Sequence, residues 1–203
     1  MEAGAALSFL RRALAAPWGP SSDHDLSPHL ASPPGRTLRQ AAILVAADLS
    51  GCGSGQGARL LLTKRSAHLR HHPGQVACPG GRLEPGEDAV AAALREAREE
   101  VGLPEGSAEV LGAFGPHETV TGFSVTAVVA AVRAPFAWAP QAGEVEEVFA
   151  IPLARVADLE SYRVEGRRWG GVERRYWVLP HGPHYVWGAT ARMLRALAER
   201  GQA

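Results

Sequence analysis

Apolar positions along the chain follow two periods, and the changes between them divide the sequence. Leu7, Leu10 and Leu14 recur at helical spacing and predict a short helix over Leu7–Ala16. From Pro17 to Thr37, Pro, Ser and His interrupt any period, which predicts an extended strap packed on the domain. Arg39–Ala47 and Arg59–Arg65 are short apolar runs that read as buried strands, joined by a glycine-rich hairpin loop at Gly51–Gly57. A helix is predicted over Glu87–Val101, a short strand over Val110–Phe114 and a β-branched strand over Phe123–Val132. Another strand follows over Val145–Ile151, and a closing helix from about Trp187 to Arg200. Strands interleaved with helices describe a single α/β domain. The division is an N-terminal helix and arm over 1–37 and a folded domain over 38–203. No G-x-G-x-x-G follows the first strand, so a doubly wound nucleotide fold is excluded.

Composition narrows the classes. A chain of 203 residues with 46% hydrophobic positions has material for a real core. The longest apolar run, Ala41–Ala47, is far short of the roughly 18 residues a membrane helix needs. Basic and acidic residues balance at 21 each, so no global field draws in nucleic acid or an anionic membrane, and neither is expected as a partner. Two cysteines, Cys52 and Cys78, cannot build a disulfide framework or a four-ligand zinc site by themselves. The N-terminus lacks a basic region ahead of its apolar stretch, and Arg11 and Arg12 break that stretch. A cytoplasmic, reducing location is therefore expected.

The informative segment is GRLEPGEDAVAAALREAREEVGL, Gly81–Leu103. Asp88 stands where a helix N-cap belongs, and Gly102 where a left-handed residue ends a helix. On the helical wheel Val90, Leu94, Ala97 and Val101 form the apolar face, while Glu96, Glu99 and Glu100 cluster elsewhere at offsets of three and four. Carboxylates on adjoining turns repel, and a helix built for stability would interleave lysines. Such a cluster suits a hard cation like Mg²⁺, with Arg95 placed to hold Glu99. Taken alone, the same letters also describe a solvated acidic helix face.

The surrounding letters decide between these. Gly81, Glu87, Arg95, Glu96, Ala97, Glu99, Glu100, Gly102 and Leu103 fit the pattern G-x5-E-x7-R-E-U-x-E-E-x-G-U, with U apolar. This resembles the Nudix box of the Nudix hydrolases. The resemblance implies a Nudix-type α/β/α sandwich with a mixed β-sheet, a Mg²⁺ or Mn²⁺ cofactor, and cleavage of a diphosphate joining a nucleoside to another group. Carried over by position, it implies Glu96, Glu99 and Glu100 as metal ligands and Arg95 as the residue that orients them. Gly81 supplies a tight turn and a backbone carbonyl to metal, and Glu87 ties loop to helix. Which carboxylate serves as general base is left open among Glu99, Glu144 and Glu147.

Immediately upstream, LLTKRSAHLRHHPGQVACPGG (Leu61–Gly81) is similar to the signature L-L-T-x-R-[SA]-x3-R-x3-G-x3-F-P-G-G of the coenzyme A diphosphatase branch, with Cys78 in place of Phe. Arg65 and Arg70 are planar donors suited to phosphate, and with Gly80 they are the substrate-binding candidates; ion pairing within the fold is the competing role for both arginines. Cys78 is not expected to act as a nucleophile. TGFSVTAVV (Thr121–Val129), GEVEEVFAIPL (Gly143–Leu153) and YVWGATARML (Tyr185–Leu194) resemble further segments of that branch. They bring in Glu144 as a catalytic candidate and Tyr185 and Trp187 as packing for the last helix or stacking partners for adenine. The resemblance thus implies hydrolysis of coenzyme A, or an acyl or oxidised form, to 3′,5′-ADP and 4′-phosphopantetheine or its derivative, and makes a homodimer plausible. NADH, ADP-ribose or a related diphosphate is the alternative substrate, and a non-catalytic nucleotide-binding module the remote one.

Overall fold

The structure, a computed structural model, describes residues 1–19, 21–31 and 35–202. Its elements begin with α1 (Ala3–Ala15), β1 (Ser21–Ser22), β2 (Arg39–Asp48), β3 (Arg59–Arg65), β4 (Val76–Ala77) and β5 (Gly80–Arg82). Next come α2 (Ala89–Val101), β6 (Ala108–Glu118), β7 (Phe123–Val132), β8 (Val145–Pro152) and α3 (Leu153–Ala157). The chain closes with β9 (Arg163–Trp169), β10 (Val172–His181), β11 (His184–Trp187) and α4 (Gly188–Gln202).

β1 to β8 form one mixed sheet in the order β1-β6-β7-β2-β3-β4, with β5 beside β2 and β8 beside β3. At its centre β2 runs parallel to β7, from Arg39 opposite Phe123 to Asp48 opposite Val132. These are the chain's most continuous apolar runs because both faces of the sheet are covered. On β2, Ala42, Leu44 and Ala46 pack toward α2, whereas Ala41, Val45 and Ala47 pack into the opposite layer. β7 divides the same way, with Val128, Ala130 and Val132 on the α2 side and Ala127, Val129 and Ala131 on the other. The fold is an α/β sandwich of a mixed sheet between helices.

The expected β2–β3 hairpin survives only at its tip, where Ala47 faces Leu60 and Asp48 faces Arg59. Below that point the strands part, and Pro79–Arg82 fills the gap. The Leu44 N–H donates to the Pro79 carbonyl at 2.8 Å, and Gly80–Arg82 pairs antiparallel with Ala41–Ile43. Gly80–Arg82 is therefore a strand of the sheet, held directly under α2.

The layer opposite α2 contains α1 and α4 packed together. Phe9 lies over Gly201, where any Cβ would run into its ring, and Arg12 donates from Nε and Nη2 to the Gly201 carbonyl at 3.1 and 3.0 Å. α1 starts four residues before the sequence pattern predicts. The Glu2 carbonyl accepts from the Ala6 N–H, and Ala3–Ala6 are compatible with a helix without adding to the leucine period. Within the arm, Ser21–Ser22 pair with β6, and Asp23 and Ser21 both bond the fully buried His117; residues 20 and 32–34 lie outside the described set.

Sequence periodicity misses the second sheet, in the order β11-β10-β9. Its strands carry arginines and glycines at positions that alternation would make apolar, so no period-two signal survives. Tyr185 and Trp187 belong to β11 and not to the closing helix, which starts at Gly188. Tyr185 is exposed and donates its hydroxyl to Glu165 on β9, so it does not pack the last helix.

Candidate active site

α2 begins one residue after Asp88, whose side chain accepts from the Ala91 N–H at 2.8 Å, and ends at Gly102, left-handed at φ 72°. The positions expected for both caps are occupied as their chemistry dictates. The buried face differs from the wheel. Ala92, Ala93, Ala97 and Val101 are fully buried, while Val90 and Leu94 are only partly covered. Small side chains let the helix lie close to the sheet, and that approach sinks Glu100 to 4% exposure.

Glu100 receives one backbone hydrogen bond, from the Gly80 N–H to Oε2 at 3.2 Å. Burial pushes its carboxyl up to about 8, the Gly80 N–H works against this, and the neighbouring charges of Glu96 and Glu144 add to it. Glu96 is also raised, chiefly by burial, with Arg95 opposing. Space is tight on the loop side. A Cβ on Gly81 would stand 2.5 Å from the Glu96 Cδ, and one on Gly80 would stand 2.7 Å from the Ile43 Cα. Only glycines allow the strand to sit between β2 and the carboxylates.

Two guanidiniums divide the acids. Arg95 donates from Nη1 to Glu96 at 2.9 Å and to Glu99 at 3.3 Å, and from Nη2 to the Arg82 carbonyl at 3.0 Å. Arg65 Nη1 lies 3.3 Å from a Glu144 oxygen and 4.0 Å from Glu100, while its Nε is buried with no acceptor. Glu144 is brought here because the segment before β8 caps the end of α2. The Ala139 N–H donates to the Val101 carbonyl and the Gln141 N–H to the Glu100 carbonyl, which satisfies orphan helix carbonyls.

The structure thus gathers Glu96, Glu99, Glu100, Glu144, Arg65, Arg95, Gly80 and Gly81 into one place. Arg70 lies on the exposed loop beyond β3, and no ion pair to it is formed among the described residues. Glu147 is directed elsewhere: its register opposite Lys64 puts it on the face away from α2, 3.5 Å from His184. Cys78 is buried in the core opposite α2, with its thiol pushed up to about 12 by desolvation, and is no nucleophile. Periodicity gives no warning of the backbone's part, namely the Gly80 amide on Glu100, the Glu84 amide on Glu87 and the Arg82 carbonyl under Arg95.

With each acid turned to a guanidinium, no trio of His, Cys, Asp or Glu side chains is gathered around one point among the described residues. The donor chemistry nevertheless fits a hard divalent cation, since all the candidates are carboxylate oxygens. Glu100 in particular is a buried acid whose charge its single amide and distant guanidinium do not offset.

Comparison with known proteins shows the family of the chain. Residues 44–170 match the NUDIX domain family. Proteins named uncharacterized Nudix hydrolase NudL, from Salmonella paratyphi B and Salmonella newport, are each 44% identical over 140 residues, 68% of this chain and 73% of theirs. Among solved structures, the Nudix hydrolase RenU from M. smegmatis is 28% identical, with a TM-score of 0.49 over 59% of this chain and 74% of that one. A MutT protein from Methanosarcina mazei Go1 is 20% identical, with a TM-score of 0.49 over 83% and 95%. The chain belongs to the Nudix hydrolases, a family that acts on diphosphates and typically uses divalent metal ions.

Proposed function

We propose that the protein hydrolyses the diphosphate of coenzyme A, or of its acyl or oxidised forms, to 3′,5′-ADP and the corresponding 4′-phosphopantetheine, using Mg²⁺ or Mn²⁺. The observation that carries this reading is Arg65, a guanidinium on the edge of the carboxylate cluster with a buried, unpartnered Nε. It belongs to the segment upstream of the box that resembles the coenzyme A branch. Arg70, without an acid partner among the described residues, stands on the same segment.

Glu96, Glu99 and Glu100 would hold the metal, with Gly81 beside them. A bound divalent ion supplies Lewis acidity toward a non-bridging phosphate oxygen and lowers the pKa of water. Arg95 keeps Glu96 and Glu99 in place while fixed itself by Glu87 and the Arg82 carbonyl. Arg65 binds the diphosphate as a planar donor. In turning to phosphate it releases Glu144, whose carboxylate then takes the proton of the attacking water.

The test is product analysis by chromatography and mass spectrometry. Coenzyme A, 3′-dephospho-CoA, NADH and ADP-ribose are compared in the presence of Mg²⁺ or Mn²⁺, with Glu100→Gln as the control. Formation of 3′,5′-ADP and phosphopantetheine, fastest from coenzyme A and abolished in the variant, is the expected result. Faster cleavage of NADH or ADP-ribose refutes the substrate and keeps the diphosphatase. No turnover of any of the four refutes the proposal.

A further inference from the structure

The second sheet carries chemistry that the diphosphate site does not use. β9 and β10 bear Arg163, Arg167, Arg168, Arg174 and Arg175 against only Glu165 and Glu173, in a chain whose charges balance as a whole. β11 pairs with β10 only between Val178 and His181. Ahead of Val178 no strand pairs β10 on that side among the described residues; the Arg175 N–H donates there to the Ser27 hydroxyl of the arm at 3.1 Å, and Asp23 and Val120 stand close by. Asp23, Val120, Arg174, Arg175, Tyr176 and Trp187 wall a cavity of about 310 Å³.

The wall has two kinds of surface. Tyr176 and Trp187 meet edge to face with ring centres 5.2 Å apart, and Val120 is an exposed apolar neighbour. Beside them, the Arg174 Nε is buried without an acceptor, and neither Arg174 nor Arg175 forms an ion pair among the described residues. Elsewhere the arginines of this protein are mostly matched to acids or carbonyls, as Arg155 is to Pro180 and Arg192 to Asp25. Asp23, the acid on the wall, already accepts from the His117 ring at 3.1 Å and the Val120 N–H at 3.0 Å. Alternate side chains of β10 share a face, so Arg174 lies on the side of Tyr176 and Arg175 on the opposite one. Aromatic faces beside a guanidinium without an acid partner recognise a base that carries a phosphate.

The cavity is joined to the carboxylate cluster through one loop. Residues 66–75 leave Arg65 and return to β4, whose Val76 carbonyl accepts from the Thr190 hydroxyl in the first turn of α4, next to Trp187 and Gly188. On that loop, His72 feels the charges of both Arg65 and Asp23. A ligand spanning loop 66–75 would place one end at the carboxylates and the other in the cavity.

We infer that the cavity between the arm and the second sheet binds a nucleoside 3′-phosphate. The base lies against Tyr176 and Trp187, and the phosphate against Arg174, the guanidinium on their face of β10. This rests on the coenzyme A reading above and deepens it: the phosphate recognised here is a third one, separate from the diphosphate that is cut. Arg174 is a specificity residue and takes no part in bond cleavage.

Calorimetric titration of the full chain with 3′,5′-ADP and with 5′-AMP isolates the 3′-phosphate, and needs no turnover. The wild type is expected to bind 3′,5′-ADP at least roughly tenfold more tightly than 5′-AMP. Arg174→Gln is expected to erase that preference while leaving 5′-AMP affinity unchanged. Arg175→Gln alters an exposed side chain on the opposite face and should keep the preference, whereas Arg174→Lys keeps the test valid if Arg174→Gln does not fold and should lose part of it. Trp187→Ala should weaken both nucleotides together. No preference in the wild type, a preference that survives Arg174→Gln intact, or one that Arg175→Gln abolishes, overturns the proposal. Preferential binding without cleavage of coenzyme A supports the cavity and refutes the reaction. Cleavage of coenzyme A and 3′-dephospho-CoA at equal rates, with no binding preference, does the reverse.

Discussion

Arg95 grips Glu87 through two parallel hydrogen bonds, Nε to Oε1 at 2.8 Å and Nη2 to Oε2 at 3.0 Å. The pair holds the Glu87 carboxyl down at about 2. Glu87 in turn accepts from the Glu84 N–H at 2.8 Å, so the turn before α2 is fastened to the guanidinium that also holds Glu96 and Glu99. A planar fork is needed to serve four acceptors on three sides, and an ammonium cannot replace it.

Arg95→Lys is accordingly expected to weaken divalent-metal affinity by roughly 10- to 100-fold, the usual effect of losing a group that orients ligands. Titration of Mn²⁺ followed by electron paramagnetic resonance reads this directly. Glu87→Gln should follow in the same direction and by a smaller factor, because the guanidinium keeps its other partners. Equal metal affinity in Arg95→Lys and wild type would remove Arg95 from the site.

The buried Glu100 predicts a pH dependence with a definite sign. Its folded value of about 8 lies above the ordinary 4.5, so the folded protein holds this proton more tightly than the unfolded chain. Without metal, the stability from this group is present below about pH 4.5 and is lost progressively as pH rises through about 8. A divalent ion competes with the same proton, so metal affinity should rise across that interval. Glu100→Gln should flatten both trends, as seen in thermal melts recorded with and without Mg²⁺.

Gly80 and Gly81 should fail differently when changed to alanine. The Gly80 side meets the backbone of β2, which cannot yield, so Gly80→Ala should destabilise by about 1–3 kcal/mol or more in chemical denaturation. The Gly81 side meets the Glu96 carboxylate, the end of a flexible side chain. Gly81→Ala should therefore lower turnover more than it lowers the melting temperature.

Phe9 fills the space over Gly201 between the first and last helices and is 4% exposed. Phe9→Ala is expected to cost about 3–5 kcal/mol in equilibrium unfolding, with metal affinity of the folded fraction unchanged. A neutral result would mean that α1 contributes little to the fold.

Much of this protein is legible in its letters. Asp88 and Gly102 bound α2 because capping and left-handed geometry are local properties. β2 and β7 read as continuous apolar runs because both of their faces are buried. Glu96, Glu99 and Glu100 stand out because a stability-driven helix would not place them together. Other features depend on which distant segments meet. Whether Val90 or Ala93 faces the sheet is set by how closely α2 can approach it, and that same approach buries Glu100. Glu144 reaches the cluster because residues 139–141 cap the far end of α2, whereas Glu147, three positions on, is turned away by the strand alternation. The β9–β11 sheet escapes detection because its arginines mask any apolar period, and its cavity exists only where β11 stops short and the arm closes over the exposed edge. Local chemistry thus determines the helix, its caps and its acids, while the long-range packing of alanine, glycine and the arm decides which charges are buried, which are paired and which remain open to a ligand.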